Sequence, residues 1–255
     1  MLKHKLKPWS QKALANKGFE LRRSPSTDVL YNSKHLSTAG KIFEFVGPSG
    51  GGKTTLLTHM EKQLTRRWYA PYSRRLLDRT ADETVMSAHR KILVAKTQRI
   101  ERDGLDAWEQ SEILIRLGKI MHQSLAGASG VYSRGLVLDE GICHYFAEQI
   151  LEQEKSIAYA LLKNRYLVLL LARSPKTVAS QMLKRMTEAE NRTLSDKEMG
   201  YLCSDFLLEN IAQQLDIYRN LGKLAKNCGC QVLTIYSEDG IKKNIQRILE
   251  FERTI

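Results

Sequence analysis

Short apolar runs alternate with longer amphipathic segments over most of the chain. The apolar runs are rich in β-branched and aromatic residues and predict buried strands at Ile42–Val46, Leu136–Leu138, residues 166–171 and Gln231–Tyr236. Between them, apolar residues recur at helical spacing, which predicts helices over 54–66, 81–102, 105–125, from after the second strand to about 163, and over 175–185, 206–226 and 241–251. Strands that alternate with helices in this way predict an α/β fold, with a mostly parallel sheet and helices on both faces.

Residues 1–39 lack this alternation. They contain Pro8, Pro25 and a polar cluster at 24–28, without sustained periodicity. A length of 255 residues fits one large domain at about 150 residues per domain. We therefore predict an N-terminal appendage over 1–39 and a single domain over 40–255.

Composition narrows the class of protein. Apolar residues make up 42% of the chain, which excludes disordered and collagen-like proteins. No stretch approaches the ~20 apolar residues of a membrane span, and the first residues lack the apolar run of a signal peptide. The four cysteines are too few for a disulfide framework (Cys143, Cys203, Cys228 and Cys230). These features predict a cytoplasmic protein of enzyme size.

Positive charge is concentrated at the N-terminus. The net charge is +12, and residues 1–23 hold seven Lys and Arg residues against one Glu. Such a basic arm predicts contact with a polyanion, or else a solvated segment that aids solubility.

The strongest motif directly follows the first predicted strand. Residues 47–54 fit the pattern G-x-x-x-x-G-K-[ST] and open a predicted helix, which is the context that supports a phosphate-binding loop. Glycines let backbone N–H groups approach phosphates, Lys53 reaches the β- and γ-phosphates, and the Thr54 hydroxyl is a Mg²⁺ ligand. The predicted nucleotide-binding residues are Gly47, Pro48, Ser49, Gly50, Gly51, Gly52, Lys53, Thr54 and Thr55.

Two acidic residues follow the second predicted strand. Asp139 ends that strand and is predicted to hold the Mg²⁺ shell together with Thr54; the alternative is a cap for the next helix. Glu140 is predicted to orient a nucleophile as a general base or to contact the acceptor; the alternative is an ordinary residue at a helix start.

The loop and the Asp139 strand resemble those of P-loop NTPases, and the order of elements after Asp139 resembles the nucleotide-kinase branch, especially thymidylate-kinase-like proteins. The resemblance implies a three-layer α/β fold with a small arginine-bearing lid, ATP and Mg²⁺ as cofactors, and a homodimer. The family has Asp-Arg after the strand, whereas this chain has Asp139-Glu140-Gly141. This difference leaves the identity of the phosphoryl acceptor undetermined.

Arginines near a polar segment are the lid candidates. The polar residues 186–197 break the helical pattern. Arg185 directly precedes this segment, and Arg192 lies within it. A lid arginine would stabilise charge that develops during phosphoryl transfer; the alternative is a solvated surface loop.

Further candidates are less specific. Three arginines after the first helix fit a substrate phosphate or a plain basic surface (Arg74, Arg75 and Arg79). Arg173 follows the third strand, at the edge where ligands bind in open α/β sheets. His144 is a candidate for the acceptor pocket or a helix surface, and residues 236–240 are a candidate adenine contact or a simple turn. Cys228 and Cys230 lack a second cysteine pair at zinc-binding spacing, which argues against a zinc site.

Together these features predict an ATP- and Mg²⁺-dependent phosphotransferase that acts on a small acceptor such as a nucleotide or hydroxylated metabolite. The alternative is a P-loop ATPase with a regulatory or motor role, in which Glu140 activates water. No Leu-Ser-Gly-Gly-Gln signature occurs, which argues against an ABC-transporter ATPase. A nucleic-acid-binding module lacks support beyond the basic arm.

Overall fold

The computed structural model of the protein describes residues 41–60, 63, 82–128, 135–190 and 204–255. Its strands are β1 (Ile42–Val46), β2 (Leu136–Leu138), β3 (Arg165–Leu171) and β4 (Gln231–Tyr236). All four predicted strands are present, and only β3 begins one residue earlier than predicted. Residues 1–39 lie outside the described residues, so the proposed domain boundary stays a prediction.

Helices connect the strands. In the first half of the described chain they are α1 (Lys53–Met60), α2 (Glu83–Arg102) and α3 (Ala107–Ala128). Between β2 and β3 lie α4 (Ile142–Tyr145), α5 (Ala147–Leu151) and α6 (Lys155–Leu162). The last three are α7 (Pro175–Glu190), α8 (Asp205–Asn227) and α9 (Ile241–Arg253).

The described residues form a four-stranded sheet in the order β2-β1-β3-β4, with every neighbouring pair parallel. Side chains of β3 alternate between the two faces because successive residues of a strand point in opposite directions. Val168 and Leu170 pack with α1 and α9, whereas Leu167, Leu169 and Leu171 pack in the larger core with α2 to α8. The predicted α/β fold with helices on both faces is confirmed.

The structure corrects two predicted helix boundaries. The single helix predicted after β2 is three short helices; the break at Phe146 (φ −120°, ψ 23°) buries that ring completely. The helix predicted to end at Arg185 continues to Glu190, so the first five residues of the predicted lid are helical. The rest of the lid, at 191–197, and the end of the first helix after Met60 lie outside the described residues, apart from Gln63.

Within the described residues, no helix combines the length and apolar character that a membrane crossing requires.

Candidate active site

The order of the strands places the candidate site. Strand β1 lies between β2 and β3, and the chain leaves β1 toward β2 before it returns to β3. A crevice forms at the carboxyl ends of the strands where the strand order reverses in this way, and ligands of open α/β sheets bind there. The loop 47–52 follows β1 at this edge, and Asp139 follows β2 beside it.

The loop has the backbone geometry that its glycines allow. Gly50 (φ 81°) and Gly52 (φ 92°) adopt left-handed conformations that other residues disfavour. A Cβ at Gly47 would lie 2.1 Å from the carbonyl oxygen of Leu170, so only glycine fits between the loop and β3. The Gly51 N–H donates to the Pro48 carbonyl at 3.1 Å, which closes the turn. The loop leads directly into α1, whose N-terminus favours anions.

Lys53, which follows the loop directly, is a buried cation. Its side chain is 4% exposed, and its ammonium donates to the carbonyls of Gly47 (2.9 Å) and Pro48 (3.1 Å). It also lies 3.3 Å from Glu140 Oε1. Burial lowers the pKa of Lys53, and the Glu140 carboxylate opposes that shift. The lysine of the motif and the second acidic residue therefore form one ion pair.

Thr54 and Asp139 contact each other. The Thr54 hydroxyl donates to Asp139 Oδ2 at 2.6 Å. The other carboxylate oxygen, Oδ1, is buried and has no hydrogen-bond partner among the described residues. A hydroxyl next to a carboxylate with an unpartnered oxygen is the donor set that Mg²⁺ uses together with nucleotide phosphates. The residues present therefore fit a magnesium ion.

Glu140 is held by side chains of α4. Tyr145 donates its hydroxyl to Glu140 Oε2 at 2.6 Å, and His144 Nε2 lies 3.6 Å from Oε1. Burial raises the pKa of Glu140, but the hydrogen bond from Tyr145 and the neighbouring His144 and Lys53 together hold the pKa below its usual value. Glu140 is thus an ionised carboxylate, and its side chain is 32% exposed.

His144 connects Glu140 to α8. Burial and the charge of Lys53 lower the pKa of His144 to about 4, so the ring is neutral at pH 7. Its Nδ1 lies 3.1 Å from the Tyr218 hydroxyl, and the two rings stack with centroids 5.7 Å apart. Since Tyr218 is 6% exposed and belongs to α8, the histidine is fixed from two helices.

Helix α7 runs past the glycine-rich loop 47–52. A Cβ at Gly50 would lie 2.6 Å from Met182 Cγ, so α7 contacts the loop at this point. Arg185, one turn further along α7, is exposed, and its charge contributes to lowering the pKa of Lys53. Arg185 therefore lies near Lys53, at the carboxyl edge of the sheet. Arg192, the other lid candidate, lies outside the described residues.

The loop after β4 contacts Arg173. The Arg173 guanidinium lies 2.6 Å from Asp239 and 4.8 Å from the centre of the Tyr236 ring. Its backbone N–H donates to Glu238 at 2.8 Å. Arg173 is thus bound to the segment predicted to contact adenine.

The structure brings together Lys53, Thr54, Asp139, Glu140 and His144. Thr55 and Ser49 are exposed beside them. Arg74, Arg75 and Arg79 lie outside the described residues. Tyr145 and Tyr218 were not predicted from the sequence. Tyr145 carries a weak signal, because it follows His144 in the helix after Glu140, whereas nothing in the sequence connects Tyr218 to the site.

Comparison with known proteins gives distant structural similarity only. No protein-family model matches the chain, and no curated protein sequence matches it. Among solved structures, deoxyadenosine kinase from M. mycoides with bound dCTP is 12% identical with a TM-score of 0.43, over 84% of this chain and 100% of that chain. The same enzyme with dCMP and a flexible dCDP bound is 13% identical with a TM-score of 0.40, at the same coverage. Similarity this distant bears on neither the activity nor the substrate of this chain.

Proposed function

We propose that this protein is an ATP- and Mg²⁺-dependent phosphotransferase that transfers the γ-phosphoryl group to a small acceptor, such as a nucleotide or a hydroxylated metabolite. The observation that carries the proposal is the meeting of Lys53, Thr54, Asp139 and Glu140 at the carboxyl edge of the sheet. Together they cover three tasks of the reaction: phosphate binding, metal binding and acceptor orientation.

Lys53 and the loop amides bind the β- and γ-phosphates. In the described structure the ammonium is held by carbonyls of the loop itself, so it lies within reach of any phosphate that enters the loop. The N-terminal end of α1 adds the partial positive charge of its N–H groups. These interactions fix the nucleotide and stabilise charge on its phosphate oxygens.

Thr54 and Asp139 would hold the magnesium ion through the hydroxyl and the unpartnered carboxylate oxygen. When bound, Mg²⁺ would neutralise part of the negative charge of the nucleotide phosphates. The hydroxyl and the carboxylate are already in contact, so little rearrangement is required of them.

Glu140 would orient the acceptor. It is ionised, and both of its oxygens contact neighbours that set its direction, Tyr145 and Lys53. A carboxylate in this position accepts the proton of an acceptor hydroxyl. Arg185, with Arg192 as the second candidate, would stabilise the transferring group and exclude water when the acceptor is present.

The test is ADP release, measured with ATP and Mg²⁺ in the presence and absence of a panel of nucleosides, nucleoside monophosphates and sugars. A kinase requires acceptor stimulation, with the phosphorylated acceptor as the second product. Lys53→Ala removes the phosphate cation and is expected to abolish turnover. Lys163→Ala is the control, because Lys163 is also a lysine in an ion pair but lies before β3, at the opposite edge.

The second candidate function is nucleotide hydrolysis with a regulatory or motor role. The partial exposure of Glu140 favours it, because water reaches the same carboxylate. Full ADP release without any acceptor would establish this function and reject the kinase. Cytoplasmic localisation, a homodimer and polyanion binding by residues 1–39 stay predictions.

A further inference from the structure

Glu44 is a charged residue in the middle of the apolar strand β1. Its side chain is fully buried, and nothing in the proposed chemistry uses it. Both carboxylate oxygens have partners: Arg165 donates to Oε2 at 2.7 Å, and the backbone N–H of Cys143 donates to Oε1 at 2.7 Å. Glu44 therefore connects the phosphate-loop strand to the start of α4.

A hydrogen-bonded network fixes Arg165 behind Glu44. Its Nε donates to the Leu161 carbonyl at 2.7 Å, and a further guanidinium nitrogen donates to the Ser124 hydroxyl. Ser124 in turn contacts His89 Nε2. A buried ion pair of this kind is weak support for stability, since removing two charges from water is costly. Stability alone therefore does not account for this pair.

Helix α4 needs a partner at its start that its own sequence does not supply. The residue before it, Gly141, has no side chain to accept a hydrogen bond from the first turn. The Glu44 carboxylate accepts one of those N–H groups instead. A Cβ at Gly141 would lie 2.5 Å from the Glu44 carboxyl carbon, so the turn after Glu140 is packed directly on this carboxylate.

The same short helix carries the side chains that hold Glu140. His144 and Tyr145 both belong to α4, and both contact the Glu140 carboxylate. Glu44 therefore acts on Glu140 in two ways. It packs against Gly141, which follows Glu140, and it binds the Cys143 N–H in the helix that carries His144 and Tyr145.

We propose that Glu44 is a positioning residue that sets the orientation of Glu140 toward Lys53, with Arg165 as its fixed counter-ion. This inference rests on the proposed phosphoryl transfer, because the orientation of Glu140 matters only if Glu140 acts in turnover. It predicts that Glu44 affects kcat and leaves ATP binding, which depends on the loop and Lys53, unchanged.

The first test is Glu44→Gln in the full chain. Glutamine keeps the shape but offers one acceptor oxygen, so Cys143 and Arg165 compete for it. A misplacement of about 1 Å at a reacting group costs about 10²-fold in rate, so kcat is expected to fall by about that factor. The dissociation constant of ATP should stay within about twofold of the wild type, a change well below one tenfold step in affinity.

Ile248→Ala is the matched control. Ile248 is fully buried on the other face of the sheet, far from α4, so this variant loses stability without touching the turn. It should keep its kcat below its unfolding temperature. A folded Glu44→Gln protein with wild-type kcat, or an Ile248→Ala protein with the same loss of kcat, would overturn the proposal.

A second pair of variants decides the question if Glu44→Gln does not fold. Gly141→Ala introduces a methyl group against the Glu44 carboxylate and should lower kcat. Glu44→Asp withdraws that carboxylate from the Cys143 N–H by one methylene group and should lower kcat as well. Wild-type kcat in either folded variant contradicts the proposal.

Hydrogen exchange separates this inference from the proposed function. If the wild type neither phosphorylates an acceptor nor hydrolyses ATP, the phosphotransferase proposal fails. The contact between Glu44 and α4 can still be measured. Amides of residues 141–146 should then exchange faster in Glu44→Gln or Gly141→Ala than in the wild type and Ile248→Ala. Equal exchange in all of these proteins would show that Glu44 does not hold α4.

Discussion

Asp139 has one oxygen engaged by Thr54 and one buried oxygen without a described partner. Asp139→Asn replaces one of these oxygens with an NH2 group and removes the negative charge. We expect the affinity for Mg²⁺ to fall by about 10–100-fold, as for other residues that orient a metal shell. The affinity for nucleotide without metal should change little. The measurement is ADP release as a function of Mg²⁺ concentration.

Asp216→Asn is the control for this prediction, because Asp216 is an exposed carboxylate in a surface pair with Arg219. Its Mg²⁺ titration should match that of the wild type. If the curve of Asp139→Asn also matches the wild type, Asp139 has a structural role only.

Tyr145 lowers the pKa of Glu140 by donating a hydrogen bond to its ionised form. Tyr145→Phe removes that donor, so the pKa of Glu140 rises. If Glu140 acts as a carboxylate, activity is lost as the pH falls through this pKa, and the acid limb of the kcat profile should move to higher pH. The alkaline plateau should change little.

Tyr159→Phe provides the comparison, since Tyr159 is 53% exposed on α6 and has no part in the proposed chemistry. Its pH profile should overlay the wild type. An unmoved acid limb in Tyr145→Phe would mean that a group other than Glu140 controls it.

At the scale of elements, α7 links the sheet to the predicted lid. It contacts the phosphate loop through Met182, carries Arg185, and continues to Glu190, from which the chain enters residues 191–197. The polar composition of 186–197 predicted a break directly after Arg185. Residues 186–190 are nevertheless helical, because extending an existing helix needs no new nucleus.

Arg192→Ala tests the lid. Because a lid arginine acts mainly on charge that develops in the transition state, we expect kcat to fall by about 10²–10³-fold and ATP binding to weaken much less. Steady-state kinetics and an ATP binding titration provide the two quantities. Arg185→Ala should behave in the same way.

Arg253→Ala is the matched control, since Arg253 is an exposed arginine at the end of α9. It should leave both quantities unchanged. Proteolytic cleavage within 191–197 should also slow when ATP and acceptor are present together. Equal losses of binding and turnover, with cleavage indifferent to ligands, would assign Arg192 to the ordinary surface.

At the scale of the whole molecule, the charge of +12 and the cluster of lysines near the N-terminus predict a salt-sensitive interaction with polyanions. Replacing Lys3, Lys5 and Lys7 together by Gln should weaken binding to a polyanion such as heparin at low salt. The slope of log affinity against log salt concentration should decrease by about one for each phosphate or sulfate group that the arm no longer neutralises.

Turnover should be unaffected by these three substitutions, because the proposed active site belongs to the predicted domain that begins at residue 40. A polyanion affinity that matches the wild type at every salt concentration would leave the arm as a solvated segment. A loss of turnover would instead place the arm in the catalytic reaction.

Local features of the sequence determined the strands, most helix positions and the first group of candidate site residues. Apolar runs of strand length predict buried strands in this chain because a parallel sheet is covered on both faces. The phosphate-binding loop and the acidic residue at the end of β2 are also local, because the chemistry of each depends on a few consecutive residues. Lys53, Thr54, Asp139 and Glu140 could therefore be named before the fold was known.

The tertiary structure alone decided which residues distant in the chain support Glu140 and its neighbours. Glu44 and Arg165 are 121 residues apart in the chain, and they pair because β1 and β3 align Ile42 with Arg165, two residues from Glu44. Tyr218 reaches His144 across 74 residues through the packing of α8 on the site. A sequence contains the residues of such pairs but not the strand register or helix packing that joins them, since these depend on the free energy of the whole fold. For that reason the sequence identified the candidate reacting groups, and the structure identified the groups that orient them.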